Sequence, residues 1–340
     1  MNIAVVIPTY NEKESLPSLI ENLFEKVKDV VDELHVVIVD DSSPDGTSDI
    51  ARKLGERFQN ISVIQRPSKM GLGTAYKDGF NFVLQKLNSD LILEMDADHS
   101  HDPAEIPIMI EKIADYDFLI ASRHVPGSSI VGWGAGRKIT HSVAGAIARI
   151  CAKIDIADST SGFRAYTREA ALRMTLVSEF SYTLESIIQT GKKRLAIAHV
   201  LIDTNPKTRE SRLFKSVASY VKKSAATIIR VYAMYEPLKI FTYIGIVIFG
   251  AGFAISLRFL YFYLNNAGQG HLQSLILSAV LMIVGFQVLL IGLVADVISG
   301  NRKLIEDLVY RVRKMELSLG TITDTNNTDV GSTHHESERH

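Results

Sequence analysis

The chain has 340 residues, a formal net charge of −1 and a pI near 6.8. This length accommodates one large domain or two smaller ones. The single cysteine, Cys151, excludes an internal disulfide and a thiolate zinc site, which is typical of a reducing compartment.

Residues 1–125 alternate short apolar segments with amphipathic segments, which predicts β-strands separated by helices. The opening segment lacks the basic and long apolar regions of a signal peptide, so we interpret it as a strand. Strands that are apolar throughout indicate an α/β fold with a mostly parallel sheet covered on both faces. The predicted strands are IAVVIPTY, HVVIVDDSS, ISVIQR, DLILEMDAD and DFLIASR, and the predicted helices are residues 14–27, 47–58 and 74–87.

Polar side chains follow three of these strands, in residues 8–12, 40–45 and 96–100. In open α/β sheets, ligands bind at the carboxyl ends of the strands. We therefore expect the three clusters to converge on one edge of the sheet and form a binding site there.

Asp96 and Asp98 leave a strand end with one residue between them. At strand spacing both carboxylates point to the same side and can bind one hard cation, Mg²⁺ or Mn²⁺. Ser100 adds a third oxygen, and His99 or His101 is an alternative ligand. Such a cation would bridge diphosphate oxygens and stabilise a departing nucleoside diphosphate. For His101 and Asp102 the simpler interpretation is solvation, or capping of the following helix by Asp102 before Pro103.

Asp40 and Asp41 end another strand and are candidates to hold a nucleoside base or ribose through hydrogen bonds. The residues directly after them, 43–46, are more simply interpreted as a tight turn.

Two long apolar segments, Leu238–Leu264 and Leu272–Ile298, lie in the last third of the chain. Each exceeds the roughly 20 residues needed to cross a bilayer core. The alternative is a pair of buried helices in a soluble domain, but the short connector between the segments favours a transmembrane hairpin over residues 237–299.

The charges that flank this hairpin predict its orientation. The connector has no Lys or Arg, so the positive-inside rule places both termini and residues 1–236 in the cytoplasm of a multi-pass membrane protein. The basic residues on the other side are Lys222, Lys223, Arg230, Lys239, Arg302, Lys303, Arg311, Arg313 and Lys314.

Basic amphipathic segments at residues 134–154 and 213–236 are predicted to lie in the membrane interface. An ordinary surface helix is the alternative for the first of them. Residues 300–317 are predicted to form a cytoplasmic helix, and the polar tail 318–340 is predicted to be disordered.

Seven motifs in this order resemble the inverting family 2 glycosyltransferases, and within them the dolichol-phosphate mannose synthases. They are IPTYNE, VDDSSPDGT, GLGTAYKDGF, MDADHSHDP, SRHVPG, VGWGAGRK and DSTSGFRAY, and they cover roughly residues 2–215. The resemblance implies a nucleotide-sugar (GT-A) fold over residues 1–212 and a set of site residues. Nucleotide contacts are implied at Pro8, Tyr10, Glu12, Val39 and Asp41, metal and diphosphate contacts at Asp96, Ala97, Asp98 and Ser100, and phosphate contacts at Arg123 and Arg137.

One segment departs from the family pattern Arg-x-x-Gly-x-Ser-Lys, because residues 206–212 read PKTRESR. Arg212 stands where the family has Lys, Arg209 stands where it has Gly, and Pro206 replaces the leading Arg. We include Arg209 and Arg212 among the phosphate-binding candidates, with Arg212 as the catalytic one. Arg164, in the motif SGFRAY, is interpreted either as catalytic or as part of a structural ion pair.

The resemblance implies transfer of a sugar from a nucleotide sugar, with GDP-mannose favoured, to a dolichyl or polyprenyl phosphate in the lipid bilayer. The acceptor phosphate is already an anion, so the reaction requires positioning and charge neutralisation more than a protein base. A UDP-sugar donor and a catalytically inactive membrane adaptor are the alternatives. Nucleic acid is not an expected partner, and homo-oligomerisation stays open.

Overall fold

The N-terminal part of the chain is built on one seven-stranded sheet. The computed structural model describes residues 1–122, 158, 161–175, 182–202, 235–265 and 272–332, with only the backbone for 320–332. The strand order is β3-β2-β1-β4-β6-β5-β7, and β6 alone among these strands runs antiparallel to its neighbours, which confirms the mostly parallel sheet. The strands are β1 Asn2–Thr9, β2 Glu33–Asp40, β3 Ile61–Gln65, β4 Leu91–Glu94, β5 Phe118–Ser122, β6 Arg164–Thr167 and β7 Ile197–Leu201.

Amphipathic helices cover the sheet, as the spacing of apolar residues predicts. In the first helix, Leu16, Leu19, Leu23 and Val27 recur every three or four residues and are fully buried. The described helices that accompany the sheet are α1 Leu16–Val27, α2 Thr47–Phe58, α3 Leu72–Lys86, α4 Ile106–Ile113, α5 Arg168–Arg173 and α6 Tyr182–Lys192. A short 3₁₀ turn, Pro103–Glu105, precedes α4.

The strand order reverses beside β1, which pairs with β2 on one side and with β4 on the other. Such a reversal opens a crevice at the carboxyl ends of the strands. The parallel registers bring Thr9 opposite Asp40, and Val6 opposite Glu94. The polar residues that follow β1, β2 and β4 therefore leave the same edge of the sheet.

Two further helices, α7 Pro237–Leu264 and α8 Leu272–Ser332, are long and apolar enough to cross a membrane. Most of their apolar side chains are exposed, unlike those of a core helix in a soluble protein. The two helices therefore suggest association with a membrane.

The structure differs from the predicted boundaries after residue 298. The predicted second span, the predicted cytoplasmic helix 300–317 and the start of the predicted disordered tail form one continuous helix to Ser332. No proline occurs between Leu272 and His340, so nothing in this sequence forces the helix to end at residue 299. The end of the tail, 333–340, and the interfacial segments at 134–154 and 213–234 lie outside the described residues.

The described residues divide into two compact units, which lie within Met1–Ala225 together with Leu308–His340, and within Ala226–Asp307. The C-terminal part of α8 thus belongs to the unit that contains the sheet, which we call the catalytic unit below. In this unit, the Tyr310 hydroxyl donates to Glu169 Oε1 at 2.6 Å. Arg313 donates to the Met174 carbonyl at 2.9 Å, at the end of α5. These bonds fix residues 308–319 on the same unit as the sheet.

In the other unit, α7 and α8 pack closely through glycines. A Cβ atom at Gly285 would lie 2.5 Å from the backbone nitrogen of Phe249, and one at Gly252 would lie 2.9 Å from that of Met282. Gly245 and Gly292 show similar close approaches to side chains of the facing helix. Small residues let backbones approach in the same way between helices of membrane proteins.

We expect Gly285→Ala to destabilise the hairpin by roughly 1–3 kcal/mol, because the added methyl group meets backbone atoms that cannot move independently. Gly250→Ala is the matched control, since a Cβ there has no atom within 4 Å. The thermal midpoint of the full chain in detergent should fall for the first variant only. Equal midpoints for both variants would show that the close packing is absent.

Candidate active site

Asp40 stabilises the edge of the sheet at which the polar loops after β1, β2 and β4 lie; we call this the polar edge. Asp40 has no exposed surface, and its carboxylate accepts hydrogen bonds from the hydroxyl of Thr9 at 2.9 Å, from the backbone N–H of Ser43 at 2.9 Å and from the hydroxyl of Ser48 at 2.5 Å. These contacts use the Asp40 carboxylate within the protein, so Asp41 is the stronger candidate of the two for a contact with a base or ribose. Its neighbours turn as predicted, with Gly46 in the left-handed region at φ +86°.

Asp41 is held by a cation that the sequence analysis missed. Arg66 Nε donates to Asp41 Oδ1 at 2.5 Å, and both side chains are buried. The other guanidinium nitrogens donate to the hydroxyl of Thr74 at 2.6 Å and to the carbonyl of Gly71 at 2.9 Å. Arg66 therefore fixes both Asp41 and the loop that leads into α3. The sequence offered one signal for this role, because Arg66 directly follows β3 at the edge of the sheet where ligands bind.

Tyr10 and Glu12 lie in the loop after β1. The ammonium of Lys69 sits 3.7 Å from the centroid of the Tyr10 ring, a cation–π contact on a half-buried side chain. Glu12 is largely buried, and its Oε2 accepts from the hydroxyl of Ser15 at 2.8 Å. Tyr10 thus offers a ring face at this edge, whereas Glu12 binds the start of α1.

Three other candidates for nucleotide or diphosphate contacts show less side-chain surface. Pro8 is partly exposed, Val39 has no exposed surface and Ala97 is 4% exposed. The Val39 side chain faces α3. If Gly79, in α3, carried a Cβ atom, that atom would lie 3.3 Å from a methyl carbon of Val39.

The predicted cation-binding loop lies directly after β4. The Asp96 side chain is 35% exposed, and its Oδ1 accepts from the hydroxyl of Tyr76 at 3.2 Å. Asp98 Oδ1 accepts from the backbone N–H of Ser100 at 3.1 Å, and both residues are partly exposed. Burial, followed by the charges around it, raises the pKa of Tyr76, so its hydroxyl stays a donor.

Both histidines of this loop have structural contacts. His99 Nε2 lies 3.0 Å from the hydroxyl of Ser18 and 3.1 Å from the carbonyl of Ser15, which joins the loop to α1. His101 Nδ1 accepts from the backbone N–H of Asp96 at 3.1 Å. The cap of the following 3₁₀ turn comes from Asp102, whose Oδ1 accepts from a backbone N–H at 3.0 Å.

The donor set at this edge fits a magnesium or manganese ion held jointly with a diphosphate. Among the residues that the structure describes, no three His, Cys, Asp or Glu side chains form a complete metal cage. Mg²⁺ commonly uses one or two carboxylates and takes its remaining ligands from phosphates and water. The partly exposed carboxylates of Asp96 and Asp98 match that requirement.

The backbone at the same edge is strained. Asn11, Ser42 and His99 follow β1, β2 and β4 and adopt φ values of 60°, 52° and 58°. Non-glycine residues in the left-handed region cluster at functional sites. Three of the five described non-glycine residues with positive φ therefore lie in the same loops as the polar side chains, and the other two, Gln59 and Arg194, lie elsewhere.

Arg164 has a structural role behind the site. It has no exposed surface and donates to the carbonyls of Ser161 at 2.7 Å and Thr183 at 2.9 Å. In the sheet it lies opposite Glu94, whose two carboxylate oxygens are buried without a hydrogen-bond partner. Burial raises the pKa of Glu94 to about 8, and the opposing effect of Arg164 is smaller.

Four predicted phosphate-binding residues, Arg123, Arg137, Arg209 and Arg212, lie outside the described residues. The described site therefore contains the nucleotide and metal candidates but not these arginines.

With this geometry in place, comparison with known proteins identifies the family. The model described as glycosyl transferase family 2 matches residues 4–174, half of the chain. The chain belongs to glycosyl transferase family 2. A second model, described as the GtrB C-terminal hairpin, matches residues 236–300, which contain α7 and the apolar part of α8.

Two curated relatives agree with the resemblance seen in the motifs. The undecaprenyl-phosphate mannosyltransferase of Micrococcus luteus is 40% identical over 166 residues, which cover 49% of this chain and 66% of that protein. The polyprenol monophosphomannose synthase of Mycolicibacterium smegmatis is 38% identical over 174 residues, which cover 51% and 64%. The chain thus spans slightly less than two thirds of the length of either relative.

A solved structure agrees on the fold. The glucosyl-3-phosphoglycerate synthase from Mycobacterium tuberculosis, in complex with Mn²⁺, UDP and phosphoglyceric acid, aligns with a TM-score of 0.50 and 18% identity. The alignment covers 68% of this chain and 77% of that one. The GT-A fold predicted from the sequence is therefore confirmed.

The buried Glu94 predicts a pH dependence of stability. Its pKa is raised above the usual 4.5, so its contribution to stability is fully present below about pH 4.5 and is lost as the pH rises toward 8. Glu94→Gln cannot ionise, so the variant should gain stability relative to wild type over this interval. Thermal midpoints of both full-length proteins at about pH 5.5, 7 and 8.5 measure the difference. A difference that does not change with pH would contradict the assignment.

Proposed function

We propose that this glycosyltransferase transfers mannose from GDP-mannose to a polyprenyl phosphate such as dolichyl phosphate, with inversion at the sugar. The observation that carries the proposal is the partly exposed Asp96 carboxylate beside Asp98, at the strand end where the sheet order reverses. Both curated relatives have names that specify a polyprenyl acceptor and mannose. Because the chain spans only part of each relative, the complete activity is our inference.

The residues of the described site have complementary roles in this proposal. Tyr10 and Asp41 contact the nucleoside, and Asp96 and Asp98 hold the diphosphate end of the donor through Mg²⁺ or Mn²⁺, with Ser100 beside them. When bound, the cation offsets the negative charge that develops on the leaving nucleoside diphosphate. Pro8 lines the site beside them, and the largely buried Glu12, Val39 and Ala97 support the loops behind it.

The acceptor phosphate is already an anion, so in our proposal it attacks the sugar carbon directly. Direct attack opposite the leaving group inverts the anomeric centre. Two anionic groups must approach each other in this step, and cationic side chains would reduce their repulsion. We propose Arg123, Arg137, Arg209 and Arg212 for this role because of their places in the family motifs.

The lipid acceptor requires the active site to face a membrane. We propose that α7 and residues 272–298 of α8 span the bilayer and that the catalytic unit lies in the cytoplasm. Support comes from the basic residues outside the connector and from the contacts of α8 within the catalytic unit, such as that of Tyr310 with Glu169. A two-span hairpin would place the sheet and the end of α8 on the same side of the bilayer, which agrees with these contacts.

A UDP-sugar donor is the second candidate. Asp41 has one carboxylate oxygen occupied by Arg66, and the remaining oxygen suits an N–H donor of either guanine or uracil. The described contacts of Asp41 therefore fit both nucleotides.

The experiment follows radiolabel from GDP-mannose into polyprenyl phosphate, using the full chain in detergent with Mn²⁺. We expect transfer by wild type, loss of transfer in EDTA, and a loss of about a hundredfold or more in Asp98→Ala, because a carboxylate that holds the cation is gone. Asp102→Ala is the matched control, since Asp102 lies in the same loop but caps a turn. Undiminished transfer in EDTA would exclude the metal role, and no transfer under any condition would exclude the reaction.

A further inference from the structure

The Asp96 carboxylate lies in a cradle built by four separate parts of the chain. Tyr76 from α3 and His101 from the same loop contact Asp96 directly, and Gly162 lies beside it in the segment ahead of β6. Tyr182, at the start of α6, packs against Tyr76. Residues from outside its own loop thus help to hold the carboxylate.

Tyr76 contacts the carboxylate directly. Its hydroxyl donates to Asp96 Oδ1 at 3.2 Å, and its side chain has no exposed surface. The ring packs against that of Tyr182 with 4.9 Å between centroids. The hydroxyl is therefore held in place by a buried aromatic pair, and it occupies one oxygen of Asp96.

His101 acts on the backbone and on the other oxygen. Its Nδ1 accepts from the N–H of Asp96 at 3.1 Å, so the neutral ring carries its proton on Nε2. Nε2 lies 3.9 Å from Asp96 Oδ2. The ring is 4% exposed and stacks on Phe163 with 4.9 Å between centroids and an angle of 13°. His101 thus fixes the main chain of Asp96 and faces the second oxygen with an N–H group.

Gly162 leaves little room beside this arrangement. A Cβ atom there would lie 3.3 Å from the Tyr182 hydroxyl, 3.5 Å from Asp96 Oδ2 and 3.6 Å from His101 Cε1. The first distance is tighter than usual contacts, so a methyl group would press on the side chains around Asp96. The absence of a side chain at Gly162 therefore leaves space next to Oδ2 of Asp96.

We propose that Tyr76 and His101 are positioning residues that orient the Asp96 carboxylate so that Oδ2 is presented to the divalent cation. This inference rests on the proposed metal-dependent transfer and deepens it. Groups that orient the ligands of a metal commonly change its affinity by 10- to 100-fold when they are removed. The effect should therefore appear in metal binding and not only in turnover.

The test measures Mn²⁺ binding to the full chain in detergent with GDP present, by the electron paramagnetic resonance signal of free Mn²⁺. We expect Tyr76→Phe to weaken Mn²⁺ binding by about tenfold. Tyr166→Phe is the matched control, because it removes another buried hydroxyl, one that does not contact Asp96. Its Mn²⁺ affinity should stay within about twofold of wild type, and the thermal midpoints of both variants are recorded alongside.

Two substitutions at His101 separate positioning from packing. The Oδ1 atom of an asparagine can replace Nδ1 as the acceptor for the Asp96 N–H, whereas a glutamine places its polar atoms near Nε2. We expect His101→Asn to retain more Mn²⁺ affinity than His101→Gln. Gly162→Ala should also weaken Mn²⁺ binding, because its methyl group narrows the cradle.

The outcomes distinguish this inference from the proposed function. If wild type binds no Mn²⁺ in the presence of GDP, the metal role fails and the positioning inference fails with it. If wild type binds Mn²⁺ and Tyr76→Phe matches Tyr166→Phe in affinity, only the positioning inference is overturned. A lower thermal midpoint for Tyr76→Phe with unchanged Mn²⁺ affinity would assign Tyr76 a purely structural role and would also overturn it.

Discussion

The buried carboxylate of Asp40 is the interaction on which the polar edge of the sheet depends. It accepts from the hydroxyl of Thr9 at the end of β1, from Ser43 in the following loop and from Ser48 in α2. One charged group thereby ties two strand ends, a loop and a helix start together. Breaking such a network leaves buried donors without partners, which commonly costs about 1–3 kcal/mol for each group. The loops that carry Tyr10 and Asp41 thus begin from a fixed frame.

The site divides its charges between a buried frame and an accessible edge. Asp40 is satisfied inside the protein by hydroxyls and one oxygen of Asp41 by Arg66, whereas Asp96 and Asp98 keep part of their surface accessible. The partly exposed carboxylates of Asp96 and Asp98 are therefore the ones that a cation from solvent can reach. Because the fold provides orientation and a charged leaving group needs neutralisation, this edge suits transfer of a sugar from a nucleoside diphosphate.

The sequence predicted those parts of the structure that depend on local pattern. Apolar strands followed by acids gave the parallel sheet and the edge at which Asp96 and Asp98 lie. The sequence could not predict that Asp40 binds hydroxyl groups inside the protein while Asp41 binds Arg66. Two adjacent aspartates differ only in the side of the chain that each side chain faces. Nor did the sequence assign a role to Tyr76, whose contact with Asp96 joins a helix to a loop 20 positions away. It considered His101 as a metal ligand, whereas Nδ1 of His101 accepts from the backbone N–H of Asp96. The length of α8 was missed for a related reason, since polar composition alone does not end a helix that lacks proline.

We propose that the site transfers mannose from GDP-mannose to a lipid phosphate. The most direct measurement offers the full chain GDP-mannose, UDP-glucose and UDP-N-acetylglucosamine at equal concentrations, with a polyprenyl phosphate and Mn²⁺, and determines the lipid product by mass spectrometry and its anomeric configuration by NMR. The account predicts a single product, mannosyl phosphate linked to the lipid, with the configuration inverted relative to the donor. A product that carries glucose or N-acetylglucosamine, or mannose with retained configuration, would contradict it.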